Sequence, residues 1–92
     1  MTDILQRRLA ASPDAMESAV GDETVILHLK NGTYYGLDPI GTEIWSLLKQ
    51  GLTPIAICER IASDHGVEKE IVKADASRFL ADLEAHDMIL DA

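Results

Sequence analysis

Asn31-Gly32-Thr33-Tyr34-Tyr35-Gly36-Leu37-Asp38-Pro39-Ile40-Gly41-Thr42-Glu43-Ile44-Trp45-Ser46-Leu47-Leu48 joins a turn, a short aromatic strand, a helix start and an apolar helix face without slack. Asn31-Gly32 suits a two-residue type I′ turn, whose two central positions need positive φ. Thr24-Val25-Ile26-Leu27-His28-Leu29-Lys30 precedes it and Thr33–Leu37 follows, so a hairpin is expected. A two-residue loop sets Leu29 against Tyr34, His28 against Tyr35 and Ile26 against Leu37. One face then carries Val25, Leu27, Leu29 and Tyr34, and the other Ile26, His28, Tyr35 and Leu37. Both are partly apolar, so one covers the core and the other is covered by something else or is a binding face. The first is favoured as core.

Asp38 can cap helix amides and Pro39 fits the first helical position, where a missing N–H costs nothing. Ile40, Ile44, Leu47 and Leu48 form one stripe of an amphipathic helix that Gly51 ends, and Trp45 beside it fills the angle between helix and sheet. Upstream, residues 15–20 alternate weakly and read as a first strand, joined through Gly21-Asp22 to the next. Residues 1–13 read as a mobile or loosely docked arm, because Ser12-Pro13 interrupts the short run of Ile4, Leu5 and Leu9. The folded domain is then 14–92. Downstream, Thr53-Pro54 repeats the cap-and-proline device, Ile57, Cys58, Ile61 and Ala62 face inward, and Gly66 stops the helix. Val72, Ala76, Phe79, Leu80 and Leu83 mark a third helix from about Glu68 to about Ala85. Met88-Ile89-Leu90 returns as a tail expected to pack or pair against the sheet. The sum is an α+β, winged-helix-like arrangement: a three-stranded antiparallel sheet, with Thr33–Leu37 at an edge, followed by three helices.

Ninety-two residues make one domain with little room for a buried catalytic cavity. No apolar run approaches the ~18 residues of a membrane span, and the N-terminus lacks the order of a signal peptide, so no membrane and a cytoplasmic location are expected. Cys58 is the single cysteine, which excludes an internal disulfide. The net charge of −8 disfavours polyanionic partners. From Asp64 onward three basic residues stand against eight acidic ones, so a helix-turn-helix reading of the last two helices, as a DNA-binding or transcriptional regulator domain, would meet repulsion instead of phosphate neutralisation. His28, His65 and His86 lack a partner at i+3 or i+4, and no nucleophile motif or carboxylate pair with supporting context occurs. No catalytic residue, metal or cofactor is expected, and no nucleic acid.

Gly32-x-Tyr34-Tyr35-x-Leu37-Asp38-x-x-Gly41-x-x-Ile44-Trp45-x-Leu47-Leu48 resembles the signature stretch of the PqqD-like family, and Val72-x-x-Asp75-x-x-x-Phe79-Leu80-x-x-Leu83 continues the likeness. The resemblance spans roughly residues 15–90. Where the family usually has Gly before the closing apolar pair, this chain has His86-Asp87. Members are small proteins that recognise the leader part of ribosomally made precursor peptides. The resemblance implies a winged-helix-like fold, no catalysis, and a peptide lying along the third strand and against the third helix. Matching positions here are Thr33, Tyr34, Tyr35, Gly36 and Leu37, with Ile71, Asp75, Arg78 and Phe79 on the helix.

The residues themselves point to the same edge. Thr33–Leu37 carries neither the charge nor the proline that blunts an edge strand, and Gly36 lets another backbone approach. An extended peptide could add there, its main chain supplying affinity and side-chain pockets supplying choice. The expected function is a RiPP recognition element, or peptide chaperone. It would capture a precursor's leader segment and present it to a modifying enzyme, either a radical-SAM enzyme or a leader peptidase. A lasso-peptide or other RiPP pathway is favoured over quinone-cofactor biosynthesis. A general protein–protein adaptor using the same edge is the other alternative.

Overall fold

A computed structural model describes residues 3–92. Three strands, β2 (Ala15–Val20), β3 (Glu23–His28) and β4 (Tyr34–Leu37), form an antiparallel sheet in that order, so β2 and β4 are its edges. Three helices follow: α1 (Pro39–Lys49), α2 (Pro54–His65) and α3 (Lys69–Ala85). This is the expected α+β arrangement. Asp38 Oδ1 accepts the Gly41 N–H at 2.7 Å and Thr53 Oγ1 the Ala56 N–H at 3.3 Å, with proline at the first helical position in each case. Gly66, at φ 64°, ends α2 in the left-handed region where a Cβ is costly.

The hairpin differs in its turn. His28 N–H donates to Thr33 C=O and Gly32 N–H to His28 C=O, both at 2.9 Å, so Leu29–Gly32 is a four-residue loop. Gly32 has positive φ but Asn31 does not, which rules out a type I′ turn. The cause is local capping. The His28 ring accepts the Lys30 and Asn31 N–H groups at 3.3 and 3.4 Å, and Asn31 Oδ1 takes that of Thr33 at 2.9 Å. Ile26 therefore pairs with Tyr35 and Leu27 with Tyr34, two residues away from the expected register.

A shift of two preserves the faces but not their roles. The core side is the second face: Thr24, Ile26, His28 and Leu37 are buried and Tyr35 half-buried against the helices. Met16, Val20, Leu29 and Tyr34 are exposed, on the side no helix covers.

The expectation for residues 1–13 also needs correction from Asp3 onward. Ile4–Gln6 is a 3-10 turn, and β1 (Leu9–Ala11) pairs antiparallel with β5 (Ile89–Asp91) as a separate two-stranded sheet. Leu5 and Leu9 enter the common core, and Arg7 donates to Glu84 on α3 and to Asp91 on β5. The C-terminal tail thus finds its partner in the N-terminal segment and not in the three-stranded sheet. It can turn back because Asp87, at φ 60°, takes the left-handed conformation, and Met88 N–H closes on Leu83 C=O at 2.9 Å. Asp tolerates that conformation better than most residues.

Candidate functional site

The site is assembled from the free edge of β4 and the side of α3 beside it. Because His28 and Thr33 form a hydrogen-bonded pair, so do Ile26–Tyr35 and Thr24–Leu37 two residues along. The N–H and C=O groups of Tyr34 and Gly36 therefore point away from β3, and none of them is engaged elsewhere in the described chain. Four unsatisfied backbone groups in a row form an acceptor and donor ladder for an incoming strand. A Cβ on Gly36 would meet nothing within 4 Å, so the approach is open.

The other edge is defended. Glu17 of β2 lies on the inner face, where its carboxylate takes hydrogen bonds from Lys49 and, at 3.1 Å, from Trp45 Nε1. Lys49 first, and Trp45 after it, hold the Glu17 carboxyl below its ordinary range. An inward-pointing charge is one of the devices that discourage strand addition. β4 has none.

Tyr35 ties the open edge to α3. Its hydroxyl donates to Asp82, its ring meets Phe79 edge-on at 6.3 Å, and His86 at 5.2 Å. His86 is steadied by the Asp82 carbonyl at 2.8 Å from Nδ1. Phe79 in turn rests on Gly41, where a Cβ would lie 3.3 Å from two of its ring carbons. Asp82, His86 and Gly41 were not among the expected site residues. Gly41 had a signal, a glycine in the first turn of a helix; the other two had none.

The expected residues divide by position. Tyr35 and Phe79 meet. Tyr34, 70% exposed, points to the uncovered face, opposite to Phe79. Leu37 is 2% exposed and serves the core, while Thr33 spends its carbonyl on β3. Arg78 pairs with Asp75 on the surface of α3, and Ile71 is exposed one turn further on. An exposed pair of that kind contributes only ~0–1 kcal/mol, so Arg78 can exchange its partner at little cost.

Burial and the Asp82 carboxylate push the Tyr35 phenol up to about 12. The neutral phenol is thus favoured in the folded chain, and its stabilising share is complete below the unfolded value near pH 10 and lost towards pH 12. An absorbance titration of the Tyr34→Phe variant, which leaves one phenol, should show ionisation near pH 12. Asp82→Asn should bring it down. A midpoint near 10 in the Tyr34→Phe variant would refute the contact.

Other chemistries find little support. Arg60, Lys69, Lys73 and Arg78, all the Lys and Arg residues of α2 and α3, each have a carboxylate within 4 Å, which leaves no free cationic face for phosphates. Cys58 is fully buried with its thiol pushed up by burial. No group of three or more His, Cys, Asp or Glu suited to a metal occurs among the described residues, and no helix there is long and apolar enough to cross a membrane.

The family model for coenzyme PQQ synthesis protein D (PqqD) matches residues 23–89. Among solved structures, TbiB1 in complex with the TbiA(beta) leader peptide is 36% identical, with a TM-score of 0.82 over 87% of this chain and 93% of that one. A lasso peptide synthetase B1 complexed with its leader peptide superposes at TM-score 0.83 over 90% and 98%, at 20% identity, a likeness of fold. Among curated proteins none matches.

Proposed function

The chain belongs to the PqqD family, and from that premise we propose that it is a non-catalytic recognition element that binds the leader of a ribosomal precursor peptide by strand addition to β4. The observation that carries this reading is the unpaired ladder of Tyr34 and Gly36 beside Tyr35 and Phe79. The leader complex of the 36% identical TbiB1 supports it, and a lasso-type pathway, favoured over cofactor biosynthesis, stays part of the proposal. The partner that receives the bound precursor is then a leader peptidase or another modifying enzyme, such as a radical-SAM enzyme.

The energies suit a carrier. Four backbone hydrogen bonds at roughly 1 kcal/mol each give about 4 kcal/mol. One or two side-chain anchors add about 1.5–3 kcal/mol apiece when fully buried. After the cost of ordering a flexible peptide, micromolar to high-nanomolar affinity remains, firm enough to hold and weak enough to release.

Titrating a synthetic TbiA(beta) leader into the isotopically labelled chain tests the site. Amide shifts should concentrate on Tyr34, Gly36 and the Phe79–Asp82 stretch. Shifts centred on β2 or on the uncovered sheet face would overturn the assignment.

A further inference from the structure

A second open ladder lies at the far end of α1. In the β1–β5 pair, Ala92 N–H donates to Arg8 C=O at 3.0 Å and Ser12 N–H to Met88 C=O at 2.9 Å. Hydrogen-bonded pairs recur at every second residue, so Ala10 also turns its backbone groups towards β5, while those of Leu9 and Ala11 turn away. None of these four outward groups is engaged elsewhere in the described chain.

This edge opens onto a groove of about 440 Å³ between β1 and the turn that follows α1. Clefts that hold ligands run from roughly 300 to 1,000 Å³. Leu48, Gly51, Leu52 and Thr53 form the opposite wall, and a Cβ on Gly51 would meet nothing within 4 Å. Arg8 and Lys49 also line the groove. Lys49 is committed to Glu17. Arg8 is exposed and, alone among the eight Lys and Arg side chains, has no carboxylate within 4 Å among the described residues. A free cation thus stands beside a free ladder on a chain of net charge −8.

The register says what would fit. A strand added antiparallel to β1 sets one residue opposite Arg8, with Cβ atoms ~4.5–5.5 Å apart on the exposed side. A carboxylate at that residue would meet the guanidinium fork. The next residue, opposite the buried Leu9, turns inward to Leu48 and Leu52. The groove therefore selects an extended segment with an acidic residue next to an apolar one.

The two ladders stand at opposite ends of one helix. β4 leads directly into the first turn of α1, the groove lies at its last turn, and eleven residues cover about 16 Å. A strand on β1 leaves β4 free. We infer that the β1 edge is a docking site for an extended acidic segment of the protein that receives the bound precursor, engaged while the leader occupies β4. The inference rests on the leader-binding reading and adds to it a second surface, by which carrier and receiver meet.

Phage-displayed random dodecapeptides, selected against the full chain saturated with the TbiA(beta) leader, supply the probe. Selected binders should carry Asp or Glu beside an apolar residue within a strand-forming stretch. Arg8→Glu should weaken them at least tenfold, and Lys in place of the peptide's acidic residue should restore binding to that variant. Ala11→Pro should weaken them as much, since it removes an outward donor and none that β5 uses. Gly36→Pro should leave them unchanged. Binders that keep their affinity for Arg8→Glu, binders that Gly36→Pro abolishes, or no binders at all would overturn the docking site. Leader binding that survives Gly36→Pro would instead overturn strand addition at β4, in a separate titration that Arg8→Glu and Ala11→Pro should not affect.

Discussion

Gly36→Pro is expected to reduce leader affinity by at least 100-fold while the domain stays folded. The Gly36 N–H faces the free edge, so proline takes nothing from the pairing of β3 with β4; Tyr35 before it is already extended, as a residue preceding proline must be. What it removes is one outward donor, and its ring stands where the visiting backbone must come. Losing the four-bond ladder forfeits about 3–4 kcal/mol, and each 1.4 kcal/mol is a factor of ten. Calorimetric titration with a leader peptide measures the loss, and a thermal melt within a few degrees of the parent confirms the fold. Retained affinity would mean that the peptide binds without pairing to β4. Gly36→Ala is the matched control, expected to bind nearly normally because its Cβ meets open space.

Deleting residues 1–12 should be the most damaging change to stability. Leu5 and Leu9 are 5% and 7% exposed and pack into the core with Leu83, Met88 and Ile89. Two buried leucines at about 1.5–3 kcal/mol each give about 3–6 kcal/mol. The β1–β5 ladder and the Arg7 contacts to Glu84 and Asp91 go with them. A domain of this size has about 5–15 kcal/mol in total, so the truncated chain should unfold at much lower urea, or lose its dispersed amide spectrum. An unchanged urea midpoint would show the segment to be dispensable.

That segment illustrates what sequence reading can miss. Leu5 and Leu9 show no period long enough to mark an element, Ser12-Pro13 looks like a boundary, and the strand that completes β1 lies at the other end of the chain. Local pattern cannot report a partner that distant. Helix starts were legible because Asp38-Pro39 and Thr53-Pro54 act within four residues of themselves. The turn was located but mismeasured, since His28 caps amides that an Asn-Gly turn would have left to the ladder.

The sheet faces show a different failure. The buried face carries Thr24 and His28, whereas the bare one carries Val25, Leu27 and Leu29, so side-chain hydrophobicity pointed the wrong way. At the site, Tyr35 and Phe79 followed from the family pattern, and the structure places them together. Asp82 and His86 could not have been chosen. Nothing in a sequence says that the last turn of a helix will reach the hydroxyl of a tyrosine more than forty residues earlier.

The bare side of the sheet has one more implication. Side chains alternate across a strand, so a guest held on β4 would turn every second residue towards α3 and the others outward, level with Met16, Val25 and Tyr34. A bound leader would thus be a text printed on both sides: one read by its carrier, the other legible to a second protein without the guest ever being set down.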